Sequence, residues 1–372
     1  MSISQPEYLR RYAAIRELMK KEGFDSLLVV GISDDFNRGN IRYITGSGRG
    51  GCCIFPLEGA PVFLSAPNMS ASPKLPLTMA AYQLLDLRET TDNARQAVKE
   101  LSGFDRGHKI GLIGMACISV ALYQAVKEKF ADRIVDATAI MDQLRAVKSA
   151  EEIGKMRAAA LVADEVYRRL RNMIKPGLSE NIIYGEVKKT AYEMGCEYSF
   201  DLLDAGGAPM NMSFYPTGDK LKDKGALFME ISPAFEGYYA QLPVTLPVGQ
   251  YSPQVRQMVS AWNQADRKVR EILFPGTKVS DIYQVLIGTI REKGFISPLR
   301  PGHSVGLDIL DFWSITESNS LILKSGMLLA IHPCVMLKPF GEGVGMGYTY
   351  LITDKGAEKL SQIDLSAELI GE

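Results

Sequence analysis

Two short stretches decide the fold prediction, GALFMEISP at residues 225–233 and GMLLAIHP at residues 326–333. Each opens on glycine, continues through an apolar run of strand length and closes on proline. A pair of helical segments precedes each stretch, and matched breaks end the helices with the same separation in both pairs. The breaks are Pro176-Gly177 and Gly195 in the first half, and Pro275-Gly276 and Gly294 in the second. The sequence therefore predicts a duplicated unit of two helices followed by strands.

The helices of this duplicated unit are predicted from apolar periodicity and from their end signals. The first pair covers residues 150–174 and 180–193. In the second pair, Ser252-Pro253 caps a helix that continues to Pro275-Gly276, and a shorter helix covers residues 280–293. Two half-sheets that meet under helices on one face leave a central groove, and such junctions are where ligands commonly bind.

The sequence before this repeat has a different pattern, in which short apolar runs alternate with helical segments. Four segments are predicted as strands: DSLLVVG, NIRYITG, GCCIFPLEGAPVFLSA and KIGLIGM. The predicted fold class is therefore α/β, with an N-terminal α/β domain over residues 1–147 and a pseudo-twofold α+β domain over residues 148–372.

The overall composition indicates a folded protein with a small ligand. The chain has 372 residues, with 46% hydrophobic and 23% charged residues and a formal net charge of -1. That balance excludes a disordered chain and gives no field to attract nucleic acid. The five cysteines are odd in number and form no CxxC pair, and the N-terminal segment has no signal-peptide pattern. We expect a cytoplasmic protein with reduced thiols and no membrane segment.

Three polar residues fall where the repeat predicts the groove. Glu230 lies within the strand LFMEISP, where a carboxylate needs a partner to be buried at acceptable cost. His332 holds nearly the same place in the second half, and His303 lies just before it in RPGHSVGLDIL. If a twofold axis relates the halves, the three side chains converge. Each could also be a satisfied core residue; the convergence favours a functional pocket.

Two further residues are candidates for binding substrate. Gln241 follows the turn at residues 235–238, and period-two spacing could point it to the same side as Tyr239. Alternatively, Gln241 is an ordinary residue of an edge strand. Arg49 lies in TGSGRGG, which lacks the spacing of a nucleotide-binding loop. It is either a solvated loop residue or a clamp for a substrate carboxylate.

Several segments, taken in order, resemble the creatinase, prolidase and aminopeptidase P family, M24, whose catalytic domain has the pita-bread fold. They are NIRYITG, RAVKSAEEIGKMRAAA, IKPGLSE, GALFMEISPAFEGYY, PGHSVGLDI, LLAIHPCVMLKP and YLITDKGAEKLS. The resemblance implies a creatinase-like N-terminal domain and a pita-bread C-terminal domain. It also implies a homodimer in which the N-terminal domain of one subunit closes the other's pocket, through Arg49, Asn40 or Arg42.

The metallopeptidases of this family hold two divalent ions with two aspartates, one histidine and two glutamates. The resemblance places those positions at Glu230, Gln241, His303, His332 and Gly347. One carboxylate is present where four are expected, and two divalent ions need anionic oxygens to offset their charge. The sequence therefore predicts no metal cofactor.

The proton-transfer histidines of the family are also replaced. Their positions correspond to Ser213 or Phe214 and to Leu310. The segments around His332 and Tyr239 resemble the metal-free creatinase branch more than the peptidases. The histidine and two glutamates of creatinase nevertheless fall on Ser213 or Phe214, Pro243 and His332, which makes creatine itself a weak substrate candidate.

Three functions stay open at this point. The first is a metal-independent, creatinase-like hydrolase or lyase that acts on a C–N bond of a small amidine, amide or amino-acid derivative. In it His303 or His332 is the base, Glu230 orients the histidine or a cationic substrate, and other side chains position the substrate. Those positioning residues are Gln241, Tyr215, Tyr348, Ser213 and Arg49. The second is a catalytically silent homologue that binds a small molecule, a peptide or a partner. The third is an Xaa-Pro peptidase-like hydrolase with one divalent metal held by Glu230, His303 and His332.

Overall fold

The computed structural model of the chain describes residues 3–68 and 80–366. It divides into two compact units, Met1–Ala146 and Val147–Glu372. The predicted boundary lay one residue further along the chain. Each unit is described below by itself.

The N-terminal unit is a mixed six-stranded sheet with helices packed against it, in the strand order β4-β3-β2-β1-β5-β6. Pairing is antiparallel along β1–β2–β3 and parallel for β1–β5, β3–β4 and β5–β6. The strands are β1 Phe24–Gly31, β2 Gly51–Pro56, β3 Val62–Ser65, β4 Asp86–Glu89, β5 Lys109–Ile113 and β6 Ile134–Asp136. The helices are α1 Gln5–Glu22, α2 Gly39–Thr45, α3 Asn93–Phe104, α4 Val120–Phe130 and α5 Thr138–Ala146. The buried side chains of β1, β2, β3 and β5 form one apolar core with those of α3 and α4.

One predicted strand of this unit is wrong, because NIRYITG forms the short helix α2. Its β-branched residues favoured a strand. In the structure Ile41 and Ile44 are both buried, which is the spacing of one helix face, and Thr45 Oγ1 donates to the Ile41 carbonyl. Gly46 ends the helix in the left-handed conformation, φ 72°, and donates its N–H to the Arg42 carbonyl. The glycine was the end signal that the strand prediction overlooked.

The C-terminal unit contains the predicted duplication. Its helices are α6 Ala150–Met173, α7 Glu180–Glu193, α8 Pro253–Arg270 and α9 Val279–Glu292. They pack in the pairs α6–α7 and α8–α9. Serines cap the first helix of each pair: Ser149 accepts from Glu152 N in a capping box, and Ser252 accepts from Val255 N. Helix α8 ends earlier than predicted, five residues before Pro275.

The strands of this unit form two larger sheets and two small ones. The larger sheets have the orders β12-β9-β8 and β13-β14-β17-β18, and the small ones are β11-β10-β7 and β15-β16. The strands are β7 Tyr198–Ser199, β8 Leu202–Asp204, β9 Ala226–Ile231, β10 Pro233–Phe235, β11 Tyr238–Tyr239, β12 Leu242–Pro247, β13 Gly302–Ser304, β14 Leu328–Ile331, β15 Cys334–Met336, β16 Gly343–Gly345, β17 Tyr348–Thr353 and β18 Gly356–Lys359. GALFMEISP supplies β9 and GMLLAIHP supplies β14, and both lie inside their sheets.

The two larger sheets are joined beside the end of β12. Thr349 of β17 accepts a hydrogen bond from Gln241 N at 2.8 Å and donates to Gln241 O at 3.1 Å. Gly347 N donates to Pro243 O at 3.0 Å. These bonds bring the strand ends that carry the predicted polar residues to one place. Within residues 3–68 and 80–366, no helix is both long and apolar enough to cross a membrane.

Candidate functional site

Glu230 lies in the central strand of the first sheet. On β9 it is paired with Leu202 of β8 on one side and with Pro243 of β12 on the other. Ser232 follows two residues later, between the end of β9 and the start of β10. Glu230 is 8% exposed. The backbone of two neighbouring strands therefore fixes this carboxyl in a nearly closed position.

The two histidines come from the second sheet. His303 lies on β13 opposite Ala330, and His332 directly follows β14, with its backbone N–H donating to Pro301 O at 2.8 Å. Their rings meet edge to face, with centroids 5.1 Å apart and an interplanar angle of 74°. His332 Nδ1 lies 3.8 Å from Glu230 Oε1, which is beyond hydrogen-bonding distance. The structure thus brings together the three residues predicted to converge.

Burial sets the protonation of this cluster. It raises the pKa of Glu230 from 4.5 to about 7, with the positive charge of Arg300 acting in the opposite direction. Burial lowers the pKa of His303 to about 4 and that of His332 well below its ordinary value. Both imidazoles are consequently neutral at pH 7, and the carboxyl is the group that titrates there. At ordinary pKa values a histidine would be the group that titrates there.

The hydrogen bond made by His303 fixes its tautomer. Its Nδ1 lies 2.9 Å from the carbonyl oxygen of Ser304. A carbonyl can only accept, so Nδ1 carries the proton and Nε2 keeps its lone pair. His303 therefore offers the site an acceptor and does not act as a donor from Nε2.

Two buried polar atoms at the site have no hydrogen-bond partner among the described residues, His332 Nε2 and Gln241 Oε1. Gln241 is 3% exposed, and its Nε2 donates to Ser232 Oγ at 3.2 Å. That bond holds its side chain at the end of β9, two residues along the chain from Glu230. Buried polar atoms are seldom left unpaired, since each costs about 1–3 kcal/mol. Their position beside Glu230 points to a polar ligand.

The five positions implied by the resemblance do not fit a dinuclear metal centre. Gln241 contributes a neutral amide, and Gly347 contributes no side chain. Nor is there room for one, because a Cβ on Gly347 would lie 2.0 Å from Ile331 O and 2.6 Å from His332 Cα. The backbone before His332 has taken the space that a glutamate stem requires. A single carboxylate is left to offset four positive charges.

A single-metal arrangement finds no support in the geometry either. In the described part of the chain, no three His, Cys, Asp or Glu side chains are grouped so that they could hold a metal ion. Glu230, His303 and His332 adjoin one another without forming such a group.

The other predicted substrate-binding residues of this unit lie outside the cluster. Ser213 exchanges backbone hydrogen bonds with Leu203, which puts it beside β8, two strand spacings or roughly 10 Å from β9. Leu203 is paired with Met229, the residue before Glu230 on β9. Across the sheet, Ser213 is therefore level with Met229 and not with Glu230. Tyr215 is 77% exposed.

Tyr348 is a core residue, and its neighbour Thr349 is the one at the site. The Tyr348 ring packs against Trp262 of α8, and its hydroxyl accepts a hydrogen bond from Leu365 N at 2.7 Å. Thr349 instead contacts Gln241. The alternation of side chains along a strand could have identified Thr349 from the sequence. If Gly347 faces the site, Thr349 faces it too and Tyr348 does not.

Arg49 belongs to the N-terminal unit. It is exposed, and its loop is closed by Ser47, whose hydroxyl accepts from Arg49 N and donates to Arg49 O. Of the other two residues considered for a reach across a dimer, Arg42 is buried and Asn40 accepts from Arg145 at 2.5 Å.

Sequence reasoning missed three residues near the cluster. Ser232 and Thr349 hold Gln241, and Arg300 places a positive charge beside Glu230 and both histidines. Ser232 could have been found by period-two spacing from Glu230. Arg300 carries no periodic signal, because it lies in the irregular segment before β13.

Comparison with known proteins identifies the family. The sequence model of metallopeptidase family M24 matches residues 154–354, more than half of the chain. The chain belongs to family M24. A second model, the creatinase/prolidase N-terminal domain, matches residues 11–147. The predicted membership of the creatinase and prolidase family is confirmed.

Curated relatives of this M24 chain carry peptidase names. An uncharacterized peptidase of Staphylococcus aureus strain MW2 is 27% identical over 233 residues, which cover 62% of this chain and 66% of the relative. The chain thus spans slightly less than two thirds of that relative's length. An uncharacterized peptidase of Bacillus subtilis is 24% identical over 352 residues, covering 92% of this chain and 95% of the relative.

Solved structures show the same fold. The prolidase from Pyrococcus furiosus has a TM-score of 0.81 at 19% identity, over 94% of this chain and 99% of that one. The X-Pro aminopeptidase from Thermotoga maritima has a TM-score of 0.82 at 19% identity, over 95% and 98%. The predicted α/β architecture, a creatinase-type N-terminal domain followed by a pita-bread domain, is confirmed.

Proposed function

We propose that this M24 protein is a metal-independent hydrolase that cleaves a C–N bond in a small amide, amidine or amino-acid derivative. Hydrolysis is supported by family membership and by the peptidase names of its relatives. Independence from metal is supported by the donor set, in which Gln241 and Gly347 occupy positions where metallopeptidases of the family carry anionic ligands.

A single observation carries the proposal. Glu230 is buried 3.8 Å from His332 and accepts no hydrogen bond from any residue in the described ranges. A carboxyl with no structural partner gains nothing for the fold by being buried. Its raised pKa, about 7, instead suits a group that takes up and releases a proton at neutral pH.

The geometry suggests how the reaction runs. The Glu230 carboxylate takes a proton from a water molecule, and the hydroxide attacks the carbonyl or amidine carbon. The C–N bond then breaks as protonated Glu230 returns the proton to the leaving nitrogen. His332 is neutral and carries one N–H; with the proton on Nε2 it donates to the negative oxygen or nitrogen of the tetrahedral intermediate. Gln241 Oε1 accepts from a substrate N–H and holds the scissile group against Glu230.

Hydrolysis by chelator-treated protein tests the proposal. The purified protein, dialysed against EDTA, is assayed for ammonia or amine release from a panel of small amides, amidines and dipeptides. We expect turnover that survives the chelator and is lost in Glu230→Gln. The same Glu230→Gln preparation controls for contaminating peptidases, because it passes through an identical purification.

Two results contradict this function. Activity that disappears with EDTA and returns with Mn²⁺ or Co²⁺ would establish a metal-dependent hydrolase. Saturable binding of panel compounds without turnover would establish the silent binding homologue. Dimer formation and a cytoplasmic location stay predictions, and light scattering on the purified protein measures the first.

A further inference from the structure

Ser232 and Gln241 form a buried side-chain pair where β9 and β12 reach the site. The two strands pair in a register that matches Leu242 with Ile231. Continued by one residue, that register places Gln241 opposite Ser232. Gln241 Nε2 donates to Ser232 Oγ at 3.2 Å, and both residues are buried. The bond is therefore a cross-strand contact that is shielded from water.

Further hydrogen bonds hold the main chain of both residues. Ser232 N donates to Asp201 Oδ1 at 3.1 Å, and Ser232 O accepts from Phe200 N at 2.9 Å. The Thr349 hydroxyl accepts from Gln241 N at 2.8 Å and donates to Gln241 O at 3.1 Å. Because both main chains are fixed, the Gln241 amide can move only by rotation about its side-chain bonds. The hydrogen bond to Ser232 opposes that rotation.

This hydrogen bond decides which end of the Gln241 amide is left for a ligand. The amide has an acceptor oxygen at one end and a donor nitrogen at the other. With Nε2 held by Ser232, Oε1 is the atom that has no partner in the described ranges. If the amide were turned over, the Ser232 hydroxyl would donate to Oε1 and the N–H groups would face the ligand. The two orientations select opposite ligands, an N–H donor in the first and an acceptor in the second.

We propose that Ser232 is a positioning residue that makes this site select a scissile C–N bond whose nitrogen carries a hydrogen. The inference rests on the proposed hydrolase for the identity of that bond. Gln241 Oε1 accepts from the N–H of a primary or secondary amide or of an amidine. A tertiary amide, which includes every peptide bond to proline, has no N–H. A site built to hydrogen-bond an N–H rejects the analogue that lacks it, because the buried acceptor is then left unpaired.

Binding of two matched dipeptides tests the inference. Glycylglycine has an N–H at its amide bond, and in glycylsarcosine a methyl group replaces that hydrogen. Both are titrated by calorimetry into the full chain carrying Glu230→Gln, which under the proposed function binds them without cleaving them. We expect glycylglycine to bind at least about tenfold more tightly, which corresponds to about 1.4 kcal/mol.

Four substitutions in the same background separate the hydrogen bond from a steric effect of the methyl group. Gln241→Met removes the acceptor at a similar side-chain length and should abolish the preference. Ser232→Ala allows the amide to turn over and should lose most of it, whereas Ser232→Cys keeps a weak acceptor and should retain part. Ser361→Ala is the matched control, because it also removes a buried serine hydrogen bond, to Asp164. It should lower stability and leave the preference unchanged.

The inference is overturned if both dipeptides bind equally, if glycylsarcosine binds more tightly, if neither binds saturably, or if Ser232→Ala keeps the full preference. These outcomes are separate from those of the hydrolysis assay. Wild-type protein that cleaves glycylproline as efficiently as glycylglycine refutes the role of Ser232 and leaves the hydrolase standing. A binding preference that depends on Ser232, without turnover of any compound in the panel, supports its positioning role and refutes the hydrolase.

Discussion

Two carboxyls of the C-terminal unit are buried to a similar extent but differ in their hydrogen-bond partners. Asp266 on α8 is 6% exposed and Glu230 on β9 is 8% exposed. Asp266 accepts a hydrogen bond from the Tyr350 hydroxyl at 2.5 Å and pairs with Arg270 at 3.2 Å. Among the residues that the structure describes, Glu230 has only a histidine nitrogen as a polar neighbour, at 3.8 Å. Burial raises the pKa of both groups, and hydrogen bonding opposes it only at Asp266.

The difference separates a structural acid from a functional one. A second buried structural acid, Asp164 of α6, behaves like Asp266. It accepts hydrogen bonds from Ser361 Oγ and Gln362 N and so holds the segment that follows β18 against α6. Where the fold needs a buried acid, it supplies donors. At Glu230 it supplies none in the described ranges, and two further polar atoms nearby are also unpaired. We infer that the cost of burying Glu230 serves a ligand.

The largest expected effect is on catalysis. Glu230→Gln should reduce kcat by about 10²–10⁴-fold, because the amide cannot exchange a proton. Thermal stability should stay the same or rise, since the variant buries no ionisable group. Kinetics and calorimetric unfolding are measured on one preparation, with Asp266→Asn as the matched control that keeps kcat. A Glu230→Gln protein that is both inactive and strongly destabilised would make Glu230 a structural acid and end the comparison.

A smaller effect is expected in the dependence of stability on pH. The pKa of Glu230 is raised from 4.5 to about 7, so its contribution to stability is fully present below pH 4.5 and is lost as pH rises through 7. The loss relative to Glu230→Gln should be on the order of 3 kcal/mol. The histidines act in the opposite direction, since their lowered pKa values cost stability as pH falls below 6.5.

Unfolding midpoints of wild type and Glu230→Gln from pH 4.5 to 8 measure this loss. The histidine contribution is common to both proteins and cancels in the difference. Curves that stay parallel across this range would mean that the pKa of Glu230 is not raised.

A third prediction concerns the space beside His332. Gly347→Ala puts a methyl group 2.0 Å from Ile331 O and should cost about 1–3 kcal/mol, because backbone must move to admit it. His332 should shift with that backbone, and activity should fall. Gly288→Ala on α9 is the control: a Cβ there meets nothing within 4 Å, and the change should stabilise the helix by about 1 kcal/mol. If Gly347→Ala changed neither stability nor activity, a metal-ligating side chain would fit at this position.

The smallest expected effect is at the structural acid. Asp266→Asn keeps an acceptor for the Tyr350 hydroxyl and loses only the attraction to Arg270, whose side chain is 44% exposed. The cost should be about 1 kcal/mol or less, measured by thermal unfolding. A loss of stability several times larger would show that the packing of α8 depends on the negative charge of Asp266. The contrast drawn here between Asp266 and Glu230 would then fail.

The sequence identified the three members of the cluster because their signals are local. Glu230 stands out as an acid inside an apolar run, and the repeat relates it to His332. It could not assign their roles, because these depend on desolvation, which moves Glu230 to a pKa of about 7 and His303 to about 4. Tyr348 was chosen over Thr349 for a similar reason: the choice needed the face of β17.

The sequence by itself determined the architecture and the small number of anionic ligands at the candidate site. Apolar periodicity, caps and matched breaks act over a few residues, so the order of α6 to α9 and of β9 and β14 could be read from it. Only the tertiary structure decided that Gly347 has no room for a side chain, and that His332 and Gln241 carry atoms without a partner in the described part of the chain. Those facts arise where strands distant in sequence meet, and packing there depends on all of them at once.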